Sequence, residues 1–170
     1  TFIRFNEALP IVRKVVRKSK KTLDTKVSQQ KPFGLRTNYS GSIAGDLKVY
    51  KRNGITTAHS EDIKVNEDLI DKWKVITPMG YGEGGETKGY PRHIIGRPKI
   101  IEPGSICTET YIVVSSFQTE KEARNLAKFL QSQLVRFLIG MRKNTQHVSY
   151  DRFKFVPDLD MTKAWDDSAL

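Results

Sequence analysis

The chain is short of the residues that staple, ligate or span. Its 170 residues include one cysteine, Cys107, which excludes an internal disulfide and any zinc site built from several cysteines. The three histidines, His59, His93 and His147, are scattered and show no metal-ligand spacing. No stretch approaches the roughly 18 consecutive apolar residues that a membrane helix needs, and the opening Thr1-Phe-Ile-Arg-Phe-Asn6 lacks the layout of a signal peptide. A soluble, cytoplasmic protein with no membrane role is therefore expected. Acidic residues are also the minority charge, 19 against 29 lysines and arginines, for a net charge of +10. That balance says nothing about fold, but it favours a polyanionic partner, because each phosphate neutralised by a cation releases condensed counterions.

What is present suffices for one folded unit. Hydrophobic residues make up 38% of the chain and aromatics reach every region of it, enough to build a core and to exclude disorder throughout. An N-terminal segment, 1–30, carries a basic helix and a linker. In it Leu9, Ile11, Val12, Val15 and Val16 gather on one broad side between about Glu7 and Lys18, and Pro10 suits a first helical turn. Arg13, Lys14, Arg17 and Lys18 fall on the other face, followed by Lys20 and Lys21. From Lys31 onward the pattern changes to short strand-like runs, Leu47 to Arg52, Trp73 to Thr77 and Lys99 to Glu102, with turn residues between them. Asn53-Gly54 predicts a hairpin through a type I′ turn, and Asn66 is placed to cap a helix reaching Trp73.

The segment from Ser105 to Ser115 first alternates and then turns wholly apolar, which predicts one central, well-buried strand. Cys107 alternates along it, so packing is its expected role. Thr119-Glu-Lys-Glu122 is a capping box. Beyond it Ala123, Leu126, Ala127, Leu130, Leu134, Phe137, Leu138 and Met141 recur at spacings of three and four, predicting one helix from about Glu120 to Met141. The fold class expected is α+β: a mixed or antiparallel sheet between about Gly34 and Ser115, packed on this helix, with the basic N-terminal helix alongside. The recognition domain would run over 31–160. Residues 161–170 end in Trp165-Asp-Asp-Ser-Ala-Leu170, which reads as the first turn of a helix that continues past the chain, so a fragment of a longer protein is expected.

Few groups are arranged for catalysis. Asp46-Leu-Lys48, Asp62-Ile-Lys64 and Glu86-Thr-Lys88 are the nearest approaches to the carboxylate and lysine set of a metal-dependent nuclease. No catalytic residue and no metal site is expected within the chain. The glycine-rich stretch from Pro78 to Pro91 misses the dinucleotide-binding spacing, and no nucleophile elbow is present. Binding chemistry is better represented, because amides and guanidinium groups read base edges while lysines and hydroxyls hold phosphates. The candidates are Arg13 and Lys14 on the helix, Arg36, Thr37 and Asn38 in a loop, Tyr81, Lys88 and Arg92 (with His93) in the glycine-rich stretch, and Arg142, Asn144, Gln146 and His147 after the long helix.

Four stretches carry a family likeness: Lys31-Pro-Phe-Gly-Leu-Arg-Thr37, the run Glu102 to Val114, the helix segment Ala123 to Leu130, and Asn144 to Asp160. Together they resemble the C-terminal target-recognition region of bacterial type II restriction-modification adenine-specific DNA methyltransferases, over about Pro32 to Leu170. The resemblance implies a module that selects a sequence in double-stranded DNA for a catalytic domain of the same parent chain. In that family the catalytic domain binds S-adenosylmethionine and flips out an adenine, and the parent can be fused to an endonuclease. The catalytic motifs themselves are absent, so the cofactor is expected for the parent and none for this segment. A metal-dependent endonuclease domain and a protein-docking subunit of a restriction-modification complex are the alternatives.

Overall fold

The computed structural model describes residues 6–79, 95–142 and 149–164. Among them the protein is α+β, with three α-helices and two three-stranded sheets. The first sheet, in the order β2-β1-β5, joins β1 (Leu47–Lys51), β2 (Gly54–Ala58) and β5 (Ser105–Cys107). Here β1 pairs antiparallel with β2 and parallel with β5. The second, in the order β4-β3-β6, is wholly antiparallel and joins β3 (Trp73–Pro78), β4 (Lys99–Ile101) and β6 (Tyr111–Phe117). The expectation of one sheet is thereby corrected. The apolar run after Ser105 breaks at Thr108-Glu109-Thr110, and the chain crosses from one sheet to the other there.

Strand alternation explains why so much of β3 and β6 is apolar. Val75, Ile112 and Val114 face a core shared with the helices, while Ile76, Ile101, Tyr111 and Val113 face a second core shared with Val49, Ile106 and Cys107 of the other sheet. The antiparallel sheet is thus the middle layer, buried on both faces, as continuous apolar strands require. A register shift between Val75 and Ile76 bends it. Its free edge at β6 is covered by Ser28, whose N–H donates to the Val113 carbonyl at 2.8 Å and whose hydroxyl accepts from the Val113 N–H at 3.0 Å.

Helix α1 (Leu9–Lys18) has Pro10 in its first turn and buries Val12, with Ala8 buried just before it, in the helix-side core. Helix α2 (Glu120–Leu130) opens on the expected capping box: Thr119 accepts from the Glu122 N–H, and Glu122 accepts from the Thr119 N–H. It ends at Leu130 instead of the predicted Met141, because Ser132 is extended (φ −64°, ψ 151°) and starts α3 (Gln133–Met141) by accepting from the Val135 N–H. The break changes which residues are inside. Val135, Leu138, Ile139 and Met141 are buried, whereas Leu134 and Phe137 only pack at the margin of the core.

Two other local expectations are corrected by backbone geometry. The hairpin forms, but Lys51 pairs with Gly54, so its two-residue loop is Arg52-Asn53. Of Asn53 and Gly54 only Gly54 has a positive φ, 133°, so the turn is not type I′. Asn66 caps no α-helix: it sits at φ 52° before one turn of 3₁₀ helix (Glu67–Leu69), and its amide donates to the Pro32 carbonyl at 2.6 Å.

Lys74, on β3, is fully buried. Its ammonium donates to the carbonyls of Leu69, Ile70 and Lys72 at 2.9, 2.9 and 2.6 Å, and reaches that of Glu102 at 3.5 Å. Burial pushes it down to about 8, while the ring of carbonyl dipoles works in the opposite sense, favouring the charged form.

Core substitutions should follow the broken helix. Leu130→Ala and Leu138→Ala are expected to cost about 2–5 kcal/mol, Leu134→Ala distinctly less, and Lys121→Ala within about 0.5 kcal/mol. Denaturant titration of the four variants checks the order, and an equal loss at Leu134 and Leu138 would restore the continuous helix. Lys74→Met, which leaves buried carbonyls without a donor, should cost about 2–4 kcal/mol in the same measurement. Lys72→Met should cost little.

Candidate nucleic-acid interface

The most cationic part of the described chain is α1 and the residues just after it. At 3.6 residues per turn, Arg13, Lys14, Arg17 and Lys18 all project from the arc opposite Val12. All four are exposed, as are Lys20 and Lys21. No acidic residue occurs between Glu7 and Asp24. Arg13, Lys14, Arg17, Lys20 and Lys21 enter no salt bridge among the described residues; the salt bridges found there use Lys26, Lys31, Lys48, Arg124, Arg142 and Lys154. Arg17 and Lys18 also occupy the last turn, where cations complement the helix dipole. The segment is fixed to the body just downstream: the Asp158 N–H donates to Lys21 and the Leu23 N–H to Val156, at 3.0 and 2.8 Å.

Arg36, Thr37 and Asn38 lie in a loop whose backbone is held while their side chains are exposed. Glu109, in the crossover between β5 and β6, is the anchor. Its N–H donates to the Leu35 carbonyl at 2.9 Å, and its carboxylate accepts from the Thr37 N–H at 3.1 Å. The Lys31 ammonium lies 3.9 Å from the same carboxylate. Positive φ at Lys31 (55°) and Gly34 (79°) turns the chain into this loop.

Arg142 is placed differently. Its guanidinium donates to the Asp151 carboxylate at 2.7 Å, reaches the Asp151 carbonyl at 3.4 Å and lies 5.8 Å from the centre of the Phe155 ring. With a side chain only 12% exposed, it ties the end of α3 to the turn Tyr150–Phe153. Hydrogen bonds from Lys154 and then Arg142 hold the Asp151 carboxyl below its ordinary value. Tyr81, Lys88, Arg92, His93, Asn144, Gln146 and His147 lie outside the described residues, as do the glycine-rich stretch from 80 onward and 165–170.

The two acid and lysine triplets among the described residues form no nuclease-like set. The Asp46 carboxyl is held below its ordinary value by the Ser60 side chain and then by the Ser60 N–H, which donates to it at 2.8 Å, while Lys48 turns to Glu102 at 2.8 Å. Asp62 and Lys64 are exposed, and Glu86 and Lys88 lie outside the described residues. Among the described residues no group of three or more histidine, cysteine or acidic side chains is placed to hold a metal ion. Cys107 is fully buried, and desolvation pushes its thiol up to about 12, which leaves it protonated and packed, as its position on a strand led us to expect.

Sequence reasoning missed a polar cluster where β1 meets β4. Glu102 accepts from the Lys48 ammonium at 2.8 Å and from the Tyr50 hydroxyl at 2.7 Å. The Lys99 ammonium lies 5.8 Å from the Tyr50 ring centre and 5.5 Å from that of Tyr111, within cation–π range. Lys48 and Tyr50 stand two apart on one strand face, the one hint available beforehand.

The comparisons with known proteins add nothing to this: no family model, no curated protein and no solved structure matches the chain. No helix among the described residues is long and apolar enough to cross a membrane.

The cluster gives a pH signature. Burial opposes the charge on Glu102, but hydrogen bonds from Lys48, its own backbone and Tyr50 outweigh it and bring the carboxyl from 4.5 down to about 2. As pH falls, the unfolded chain takes up this proton first, so the contribution to stability is complete above about 4.5 and lost on the way to about 2. With the side chain 38% exposed, solvent screening keeps it below about 1 kcal/mol. Glu102→Gln should flatten that part of the stability–pH curve and leave its shape above pH 5 unchanged, as read by urea denaturation across pH. An unaltered acid limb would show that the pair contributes nothing.

Proposed function

We propose that the chain is a module that recognises a sequence in double-stranded DNA for a restriction-modification adenine methyltransferase. The observation that carries the reading is the exposed cationic face of α1, free of acidic neighbours in sequence and largely free of ion pairs among the described residues. Such a face suits phosphates, since each cation seated on one releases counterions. The loop of Arg36, Thr37 and Asn38 adds the donors and acceptors that base edges require, on a backbone pinned by Glu109. The four stretches that resemble the target-recognition region connect these binding groups to adenine methylation. Methyl transfer and its S-adenosylmethionine belong, in this reading, to the catalytic domain of the parent chain. Arg142 has a structural task and is left out of the contact set.

The division between phosphate and base contacts yields separable outcomes. Arg13→Ala, Lys14→Ala or Arg17→Ala should weaken binding to all duplexes alike and lower the salt slope of the affinity by about 0.9 per lost contact. Asn38→Ala should leave non-specific binding nearly intact and cost about 1–3 kcal/mol on the true target alone. Salt titrations of the protein against a selected target and a scrambled duplex check both. Negligible affinity for either duplex at low salt would overturn the reading.

A further inference from the structure

The break between α2 and α3 opens a recess of about 570 Å³ between the chain leading into β4 and the helix junction. Two guanidinium groups line it, Arg97 from the approach to β4 and Arg136 from the first turn and a half of α3, with Leu130 and Gln131 forming the junction side. Among the described residues neither arginine has an ion-pair or side-chain hydrogen-bond partner, and no acidic side chain lines the recess. Both are carried on rigid supports. Arg136 sits inside a helix capped by Ser132. Arg97 follows Gly96, which is buried with its Cα so close to the Pro78 ring that a Cβ there would collide with it.

We propose that this recess binds a phosphodiester of the DNA backbone between Arg97 and Arg136. The inference rests on the DNA-recognition reading above and names a contact that reading lacked. Guanidinium groups are suited to the task because their planar forks donate two parallel hydrogen bonds to phosphate oxygens and cannot be deprotonated in the working range. The volume exceeds what one small ion fills and suits a phosphate with an adjoining sugar. Leu134 and Arg136 lie about 200° apart on α3 at 100° per residue. Leu134 lines a groove together with Lys14 and Lys18 of α1, so α3 separates the recess from the α1 face. The two cationic sites are therefore distinct, and their contributions should be separable.

The experiment uses the full chain with Arg97→Gln, Arg136→Gln, their combination, and Lys121→Gln/Lys163→Gln as a control of equal charge loss at exposed positions away from the recess. Duplex affinity is followed against salt. Each arginine removed should lower the slope by about 0.9, which at 0.1 M salt is roughly eightfold in affinity, with melting temperatures unchanged. The control should stay within about twofold. In parallel, arginine Nε–H resonances are followed by NMR during titration with inorganic phosphate and, separately, with a dithymidine phosphodiester. Shifts confined to Arg97 and Arg136 support the site, whether or not a duplex binds. If the wild type binds duplex and the double variant keeps its affinity and slope, or the control loses as much, the recess proposal falls while DNA recognition stands. If no duplex binds but the diester moves both resonances, the recess stands as a phosphate site and DNA recognition falls. Shifts with inorganic phosphate alone would overturn the backbone assignment in favour of a free anion.

Discussion

The buried ammonium of Lys74 is the constraint on which the architecture turns. It leaves β3, the centre of the middle layer, on the side facing the other sheet, and gathers the carbonyls of Leu69, Ile70, Lys72 and Glu102. The Ile70 carbonyl also accepts from Gly104, and the Gly104 carbonyl from Lys48 on β1. One cation thus organises the turn before β3, the link after β4 and, through Gly104, the edge of the parallel pair between β1 and β5. A charge out of water is costly, and this one is tolerable only because backbone dipoles replace the lost hydration. Outside the same link, Glu102 takes Lys48 and Tyr50 on its side chain, so the junction of the two sheets is polar at its centre and at its rim, with apolar packing in between.

Elements whose signals are local were legible in the sequence. The capping box at Thr119 and Glu122 needs only four residues, the hairpin only a turn flanked by strand formers, and the doubly buried β6 only its unbroken apolar run. What depends on distant partners was not. A serine in the middle of a helical pattern looks like a neutral helix residue; at Ser132 the side chain instead claims the Val135 N–H, and the apolar spacing of three and four continues across the break closely enough to hide it. The polar triplet Gln131-Ser132-Gln133 was the available sign. Likewise Thr108-Glu109-Thr110 marked a division between β5 and β6 that alternation alone smoothed over. Membership of one sheet or two is decided by pairings such as Val49 with Ile106, which no local pattern records.

The site divides along the same line. The cationic face of α1 could be read from charge and helical period, and the loop at Arg36 from residue type. The fixing of that loop by Glu109, the commitment of Arg142 to Asp151, and the placement of Arg97 and Arg136 on one recess all arise from tertiary structure. Arg142 is instructive: an arginine after a helix, beside amides, reads as a ligand contact, yet a carboxylate nine residues on and an aromatic ring claim it.

The hydrogen-bonded cover that Ser28 lays over β6 bears on how the protein behaves at high concentration. An antiparallel strand with an open edge and an apolar sequence is a template for a strand from another molecule. Tyr111-Ile-Val-Val114 is such a sequence, and Ser28 occupies the amide and carbonyl of Val113 in its middle. The basic N-terminal segment is therefore also a guard against self-association: proteolysis or truncation that removes it would uncover the apolar edge of β6, whatever the fate of ligand binding.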